Sequence, residues 1–171
     1  MATQIWDELA DAKKGLLHAL SLFDQDNFNK VPFEGSWTAG QVAEHVYKSV
    51  SGVPQLLNGG SKPTDRGPAA NVTGLRKMFL DLSIKMTSPD FILPSDQPKD
   101  LAALTRKLDE ALTAIIDTAQ KADLNLTLTE FQFPGGGETT RLELVNFMSV
   151  HTQRHSWQLY NIHKHFFNYT K

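Results

Sequence analysis

An all-α fold, a four-helix bundle of the up-down type with one additional short helix and irregular loops, is what this sequence predicts. Three observations lead there. Apolar residues recur at spacings of three and four in four long segments, the period of a helix with one buried face. Two of those segments open with capping boxes. The runs between them are rich in Pro and Gly, which break regular structure. With 171 residues and 40% hydrophobic content, the chain can form a single domain over 1–171 with a sizeable core.

The first helix is marked by Ile5, Leu9, Ala12, Leu16, Leu20 and Phe23, one narrow stripe that leaves His18 on the opposite, solvent side. In Thr38-Ala39-Gly40-Gln41 a hydroxyl is followed three residues later by Gln, a capping box. Val42, Ala43, Val46, Val50 and Val53 then form the buried stripe of the second helix, which Gly52 and Pro54 should kink or end. Asn58 to Pro63 reads as a loop. A shorter helix is expected to carry Leu75, Met78, Phe79, Leu82 and Met86. Ser88 to Pro98, with its prolines and the triplet Phe91-Ile92-Leu93, should be irregular, partly buried and laid over one end of the bundle.

A long helix follows from Asp100, with Leu101, Leu104, Leu108, Leu112, Ile115 and Ala119 in register. Leu124, Leu126, Leu128, Phe131 and Phe133 alternate with other residues, a strand-like period. No partner strand is evident, so this stretch reads as a packed loop ahead of Pro134-Gly135-Gly136-Gly137. Thr140-Arg141-Leu142-Glu143 is a second capping box and opens a last helix running to about His165.

Composition removes several function classes. Seventeen basic and 19 acidic residues give a formal charge of -2, and they form no basic stripe of the kind a duplex-DNA binder shows. No nucleic-acid partner is expected. There is no cysteine, so disulfides, thiolate ligands and a cysteine nucleophile are excluded, and any thiol chemistry must use a small-molecule thiol. The N-terminal stretch carries early acidic residues and no continuous apolar core, and no segment approaches a membrane span. No membrane association and a cytoplasmic location are expected.

Chemistry concentrates in His151-Thr152-Gln153-Arg154-His155. Histidines four apart project from one helix face on successive turns, and here they interrupt the apolar stripe marked by Leu144, Met148, Leu159 and Ile162. A single buried histidine is better read as a core group hydrogen-bonded to its neighbours. Two on adjacent turns of a core stripe favour a shared metal ion, because unpaired buried polar groups cost about 1–3 kcal/mol each. The third ligand is expected from a facing helix, and His45, beside Val46, is the candidate. Three imidazoles with one open position suit a catalytic zinc-type site. His163 and His165 read as solvent-exposed tail residues. Thr152 stands where a zincin has its general-base Glu, which weighs against a protease mechanism.

Ser36-Trp37-Thr38-Ala39-Gly40-Gln41-Val42-Ala43-Glu44-His45-Val46 resembles the second-helix motif of the DinB-like superfamily, and His151-Thr152-Gln153-Arg154-His155-Ser156-Trp157-Gln158 resembles its last-helix motif. Their order and separation span nearly the whole chain. The resemblance implies a four-helix bundle with His45, His151 and His155 as metal ligands, and frequently a homodimer. Members of known activity include thiol-dependent transferases and isomerases that use low-molecular-weight thiols such as bacillithiol or mycothiol.

The leading expectation is therefore a metal-dependent enzyme acting on a small-molecule substrate. It would be a thiol-dependent S-transferase or a hydrolase, with zinc or nickel foremost and iron or manganese compatible. The alternatives are a non-catalytic metal- or small-ligand-binding stress-response bundle and a dimeric module whose histidines are ordinary core groups. Gln158, within a turn of both last-helix histidines, is the best candidate to fix an imidazole tautomer. Gln41 and Ser49, four residues either side of His45, are further candidates, whereas Glu44 points elsewhere. Trp37 and Trp157 read better as packing anchors, and Arg154 as a solvated helix charge.

Overall fold

The structure, a computed structural model, describes residues 4–167. Helix α1 (Ile5–Ser21) buries Leu9, Leu16 and Leu20 along the expected stripe and leaves His18 exposed. Asp24 then caps a single turn, α2 (Gln25–Phe28), through a reciprocal box with Asn27 that periodicity does not reveal. The box at Thr38 forms as expected: Gln41 N donates to Thr38 Oγ1 and Thr38 N donates to Gln41 Oε1, each at 3.0 Å. It starts α3 (Ala39–Val50). That helix stops before Gly52, and Pro54 lies in the first turn of α4 (Val53–Asn58), where its missing N–H leaves no gap in the ladder.

After β1 (Ser61–Lys62) come α5 (Val72–Leu80) and a 3-10 turn at Asp90–Ile92. Helix α6 (Leu101–Ala119) is capped by Asp100, whose carboxylate accepts from Ala103 N at 2.7 Å. Then follow β2 (Thr127–Gln132), β3 (Glu138–Thr140) and α7 (Arg141–Phe167). The second predicted capping box opens α7, with Thr140 N donating to Glu143 Oε2 at 3.0 Å and Glu143 N to Thr140 Oγ1 at 3.1 Å.

Helices α1 and α3 each pack against both α6 and α7, α5 lies on α7, and the 3-10 turn lies on α3. One apolar core results, in which Leu16, Leu20, Val46, Leu108, Leu112, Leu144 and Leu159 are wholly or almost wholly buried. Among the described residues no helix is long and apolar enough to cross a membrane.

Three expectations are corrected. The fold is mostly helical, in broad agreement with the all-α expectation, but β2 is the middle strand of a small antiparallel sheet, order β1-β2-β3, with Ser61 opposite Leu128 and Thr127 opposite Thr140. The part of the alternation that holds Leu128 and Phe131 was therefore a strand signal and not a packed loop, while Leu124, Leu126 and Phe133 flank the strand. Its partners were hidden because β1 is two residues long, inside an apparent loop, and β3 is the polar Glu138-Thr139-Thr140. Gly135, Gly136 and Gly137, at φ 99°, 92° and 101°, make the reversal between β2 and β3. The short helix ends at Leu80, so Leu82 and Met86 lie beyond it, and none of its residues is buried. Phe91 and Leu93 are 77% and 40% exposed, leaving only Ile92 of the triplet half-buried.

Candidate metal centre

His151 and His155 project from one face of α7 on successive turns, and α3, packed against α7, presents His45 to them. Their exposures are 1% for His45, 5% for His151 and 8% for His155. His151 Nε2 lies 3.1 Å from His45 Nε2 and 3.1 Å from His155 Nε2. One nitrogen from each ring falls within 4.8 Å of the others.

The remaining ring nitrogens assign the tautomers. His45 Nδ1 is 2.9 Å from the Ile92 carbonyl, which can only accept, so Nδ1 carries the proton and Nε2 the lone pair. His155 Nδ1 is 2.8 Å from Gln158 Oε1, an acceptor, with the same consequence. Two lone pairs therefore face His151 Nε2. If that atom carried a proton it would leave His151 Nδ1 as a bare buried acceptor; if not, three lone pairs converge. His151 Nδ1 has no hydrogen-bond partner among the described residues. His151 Nδ1 lacks a partner in either case, as acceptor or as donor, but one cation accepts all three Nε2 lone pairs, which no hydrogen bonding among the three rings does.

Two of the three spacings fit as well, and the third pair lies within 4.8 Å. Metal–nitrogen bonds of about 2.0–2.1 Å separate ligand nitrogens by about 3.4 Å in a tetrahedron and about 3.0 Å on an octahedral face. The 3.1 Å pairs lie between those values.

Burial sets the protonation. It lowers the His45 pKa from the ordinary histidine value, with the Ile92 bond opposing and the Lys48 charge adding to the effect. Burial, and then the neighbouring His155 and His45, put His151 well below that value. His155 is lowered to about 3 by burial and by His45, against the bond to Gln158. The rings are thus neutral, the form a metal ion requires.

With folded pKa values depressed, the unfolded chain takes up protons first as pH falls through about 6.5. The metal-free protein should therefore lose about 1.4 kcal/mol per pH unit for each histidine charged only when unfolded, continuing for His155 toward about 3. Urea midpoints in chelator at pH 8, 6 and 5 measure this. Equal midpoints at all three would mean that the rings titrate as exposed histidines do.

Aromatic rings wall the cluster: Trp37 is 5.2 Å from His45 between centroids, Phe147 5.3 Å and Phe79 6.2 Å from His151. Trp37 is thus both anchor and wall. Phe147, one turn before His151 on the same helix, is legible from the helical period. Of the suggested orienting residues, Gln158 reaches His155. Gln41 is occupied in its capping box and with Ser95 and Asp96, and Ser49 Oγ donates at 2.9 Å to the backbone carbonyl of His45 and not to its ring. Glu44 faces Ser95 and Lys99, away from the cluster. Trp157 is 50% exposed.

Two readings change. Arg154 is not a solvated charge: its guanidinium donates to the carbonyls of Phe79, Asp81 and Ile84. His165 is exposed, as expected of a tail residue, but His163 is half-buried, its ring 5.6 Å from that of Phe23.

Comparison with curated proteins and with solved structures gives no match. The sequence model of the DinB superfamily matches residues 8–159, a span that holds all three histidines and most of the helical framework. The chain belongs to the DinB superfamily.

Proposed function

We propose that the protein is a metal-dependent enzyme in which His45, His151 and His155 hold a divalent ion, zinc or nickel foremost, for transfer of a group to a low-molecular-weight thiol. The observation that carries this reading is the convergence of three neutral imidazoles from α3 and α7, two of them with Nδ1 protons engaged by Ile92 and Gln158. When bound, such an ion supplies Lewis acidity toward an incoming thiol or water. The protein's own part is to keep the rings unprotonated, orient them and exclude water. Ile92 and Gln158 orient two of them, and Trp37, Phe79 and Phe147 shield the cluster.

Hydrolysis needs the same ligand set. Thiol transfer is favoured because no carboxylate hydrogen-bonds the three rings among the described residues, leaving no evident general base, and because superfamily membership together with the absence of cysteine suits a thiol cosubstrate. The mutual packing of α1, α3, α6 and α7 supports an up-down four-helix bundle, and the family resemblance supports a homodimer, which light scattering tests.

Elemental mass spectrometry on the purified protein should find close to one equivalent of metal. The loaded protein should then consume a small thiol in the presence of an electrophile. Metal without turnover would favour a non-catalytic binding bundle. No metal after incubation with zinc, nickel and manganese would remove the basis of the proposal.

A further inference from the structure

We propose that residues 81–97 form a lid over the histidine cluster, clasped by Arg154 and keyed to His45 through the Ile92 carbonyl. Its role as a gate for substrate rests on the metal-centre reading above, but its existence as a removable cover does not.

The three rings are 1–8% exposed, so no thiol or electrophile can reach them in the conformation described. Some part of the protein has to open. The segment from Asp81 to Gln97 resembles α5 in being held at the surface. None of its residues is buried, and Leu82, Ile84, Met86, Phe91 and Leu93 are between 37% and 77% exposed. Apart from one 3-10 turn it has no regular structure.

Polar tethers hold it at both ends. At one end Arg154, adjacent to His155 in sequence, donates to the carbonyls of Phe79, Asp81 and Ile84. At the other, His45 Nδ1 donates to Ile92 O at 2.9 Å, Lys48 Nζ to Leu93 O at 2.7 Å, and Ser95 N to Glu44 at 2.7 Å. Water can replace each of these bonds when the segment lifts. These are the attributes of a locally opening unit.

The tethers come from α3 and α7, the helices that supply the ligands, and one tether is a ligand itself. Seating Ile92 O on His45 Nδ1 places the proton there and directs the Nε2 lone pair to the cluster. Lifting the lid releases that constraint as it admits a reactant. Arg154 acts here as a positioning residue, since it touches backbone carbonyls and not the reacting atoms. Its planar fork reaches three of them from two separate nitrogens, a width that a lysine's single nitrogen does not match.

Carbethoxylation of the metal-free full chain with diethyl pyrocarbonate, followed by mass spectrometry at each histidine, tests the lid without requiring metal or activity. Exposed His18 is the internal reference. His151 and His155 should react at least tenfold more slowly than His18 in the parent. Arg154→Ala should speed them at least fivefold, with Arg154→Lys between, while His18 and the thermal midpoint stay as in the parent. Lys48→Met, which removes a tether at the other end, should act in the same direction and decides the matter if Arg154→Ala does not fold. Parental reaction rates in the folded variants would overturn the proposal, as would acceleration only in step with global unfolding. Failure to bind any metal would defeat the proposed function yet leave this readout intact.

Discussion

Replacing His151 by leucine is expected to abolish metal binding while leaving the metal-free protein about as stable as the parent. The ring is fully enclosed, its Nδ1 has no partner among the described residues, and its Nε2 faces two lone pairs. A leucine of similar volume removes a buried polar group whose isolation costs about 1–3 kcal/mol, which offsets imperfect repacking. In the loaded protein one of three ligands is gone. Structural zinc binding of about 10–16 kcal/mol shared over three ligands makes one ligand worth about two and a half to four orders of magnitude in affinity. Metal content by mass spectrometry and urea midpoints in chelator report the two halves separately. A metal-free variant destabilised by more than about 2 kcal/mol would indicate histidines serving as hydrogen-bonded core groups.

The largest loss of stability should come from Glu143→Ala. This carboxylate has no exposed side-chain surface and accepts from both Arg66 Nη atoms at 2.7 and 2.8 Å, Asn71 N at 2.9 Å and Thr140 N at 3.0 Å. It therefore caps α7 and ties down the 66–71 connection in one act. Removing it leaves two backbone N–H groups unpaired and takes the carboxylate from Arg66, which keeps its bonds to the Gly67 and Glu138 carbonyls, for about 2–4 kcal/mol, or about 2–4 °C in thermal midpoint for each kcal/mol. Glu143→Gln keeps one acceptor oxygen and should lose less. Burial acts to raise the Glu143 pKa, but the bonds from Arg66, Thr140 and Asn71 prevail and hold it below the usual value. Its folded pKa being depressed, its contribution is present above about pH 4.5 and fades as pH falls below that. Equal urea midpoints for parent and Glu143→Ala at pH 7 would refute this account.

The two acid sensitivities occupy different windows. The histidine cluster weakens the metal-free protein from about pH 6.5 downward, where Glu143 is still ionised. Bound metal should raise the profile without flattening the first slope, because it is the unfolded chain that takes up the protons; His151→Leu, which should lose part of the first slope and none of the second, separates them.

Much of this protein was determined locally and could be read from the chain alone. The stripes of α1, α3, α6 and α7, the boxes at Thr38 and Thr140, and the break at Gly52 and Pro54 depend on residues within a turn of one another. The pairing of His151 with His155, and the reach of Gln158 to His155, follow from the same helical period. Even His45 was legible, as the histidine at the edge of a facing apolar stripe.

Only the tertiary structure decided the rest, because those features join distant residues through groups with no side-chain signature. β2 was a visible alternation, but its partners are a two-residue strand more than 60 positions earlier and a polar strand after three glycines. Gln41 lies on the helical turn before His45, yet its amide was already engaged by the N-terminus of α3. Arg154 looked solvated, since the carbonyls it binds lie 70 or more residues away. The acceptor that orients His45 is the main-chain oxygen of Ile92, and every residue has one of those; which one arrives depends on where the chain is folded.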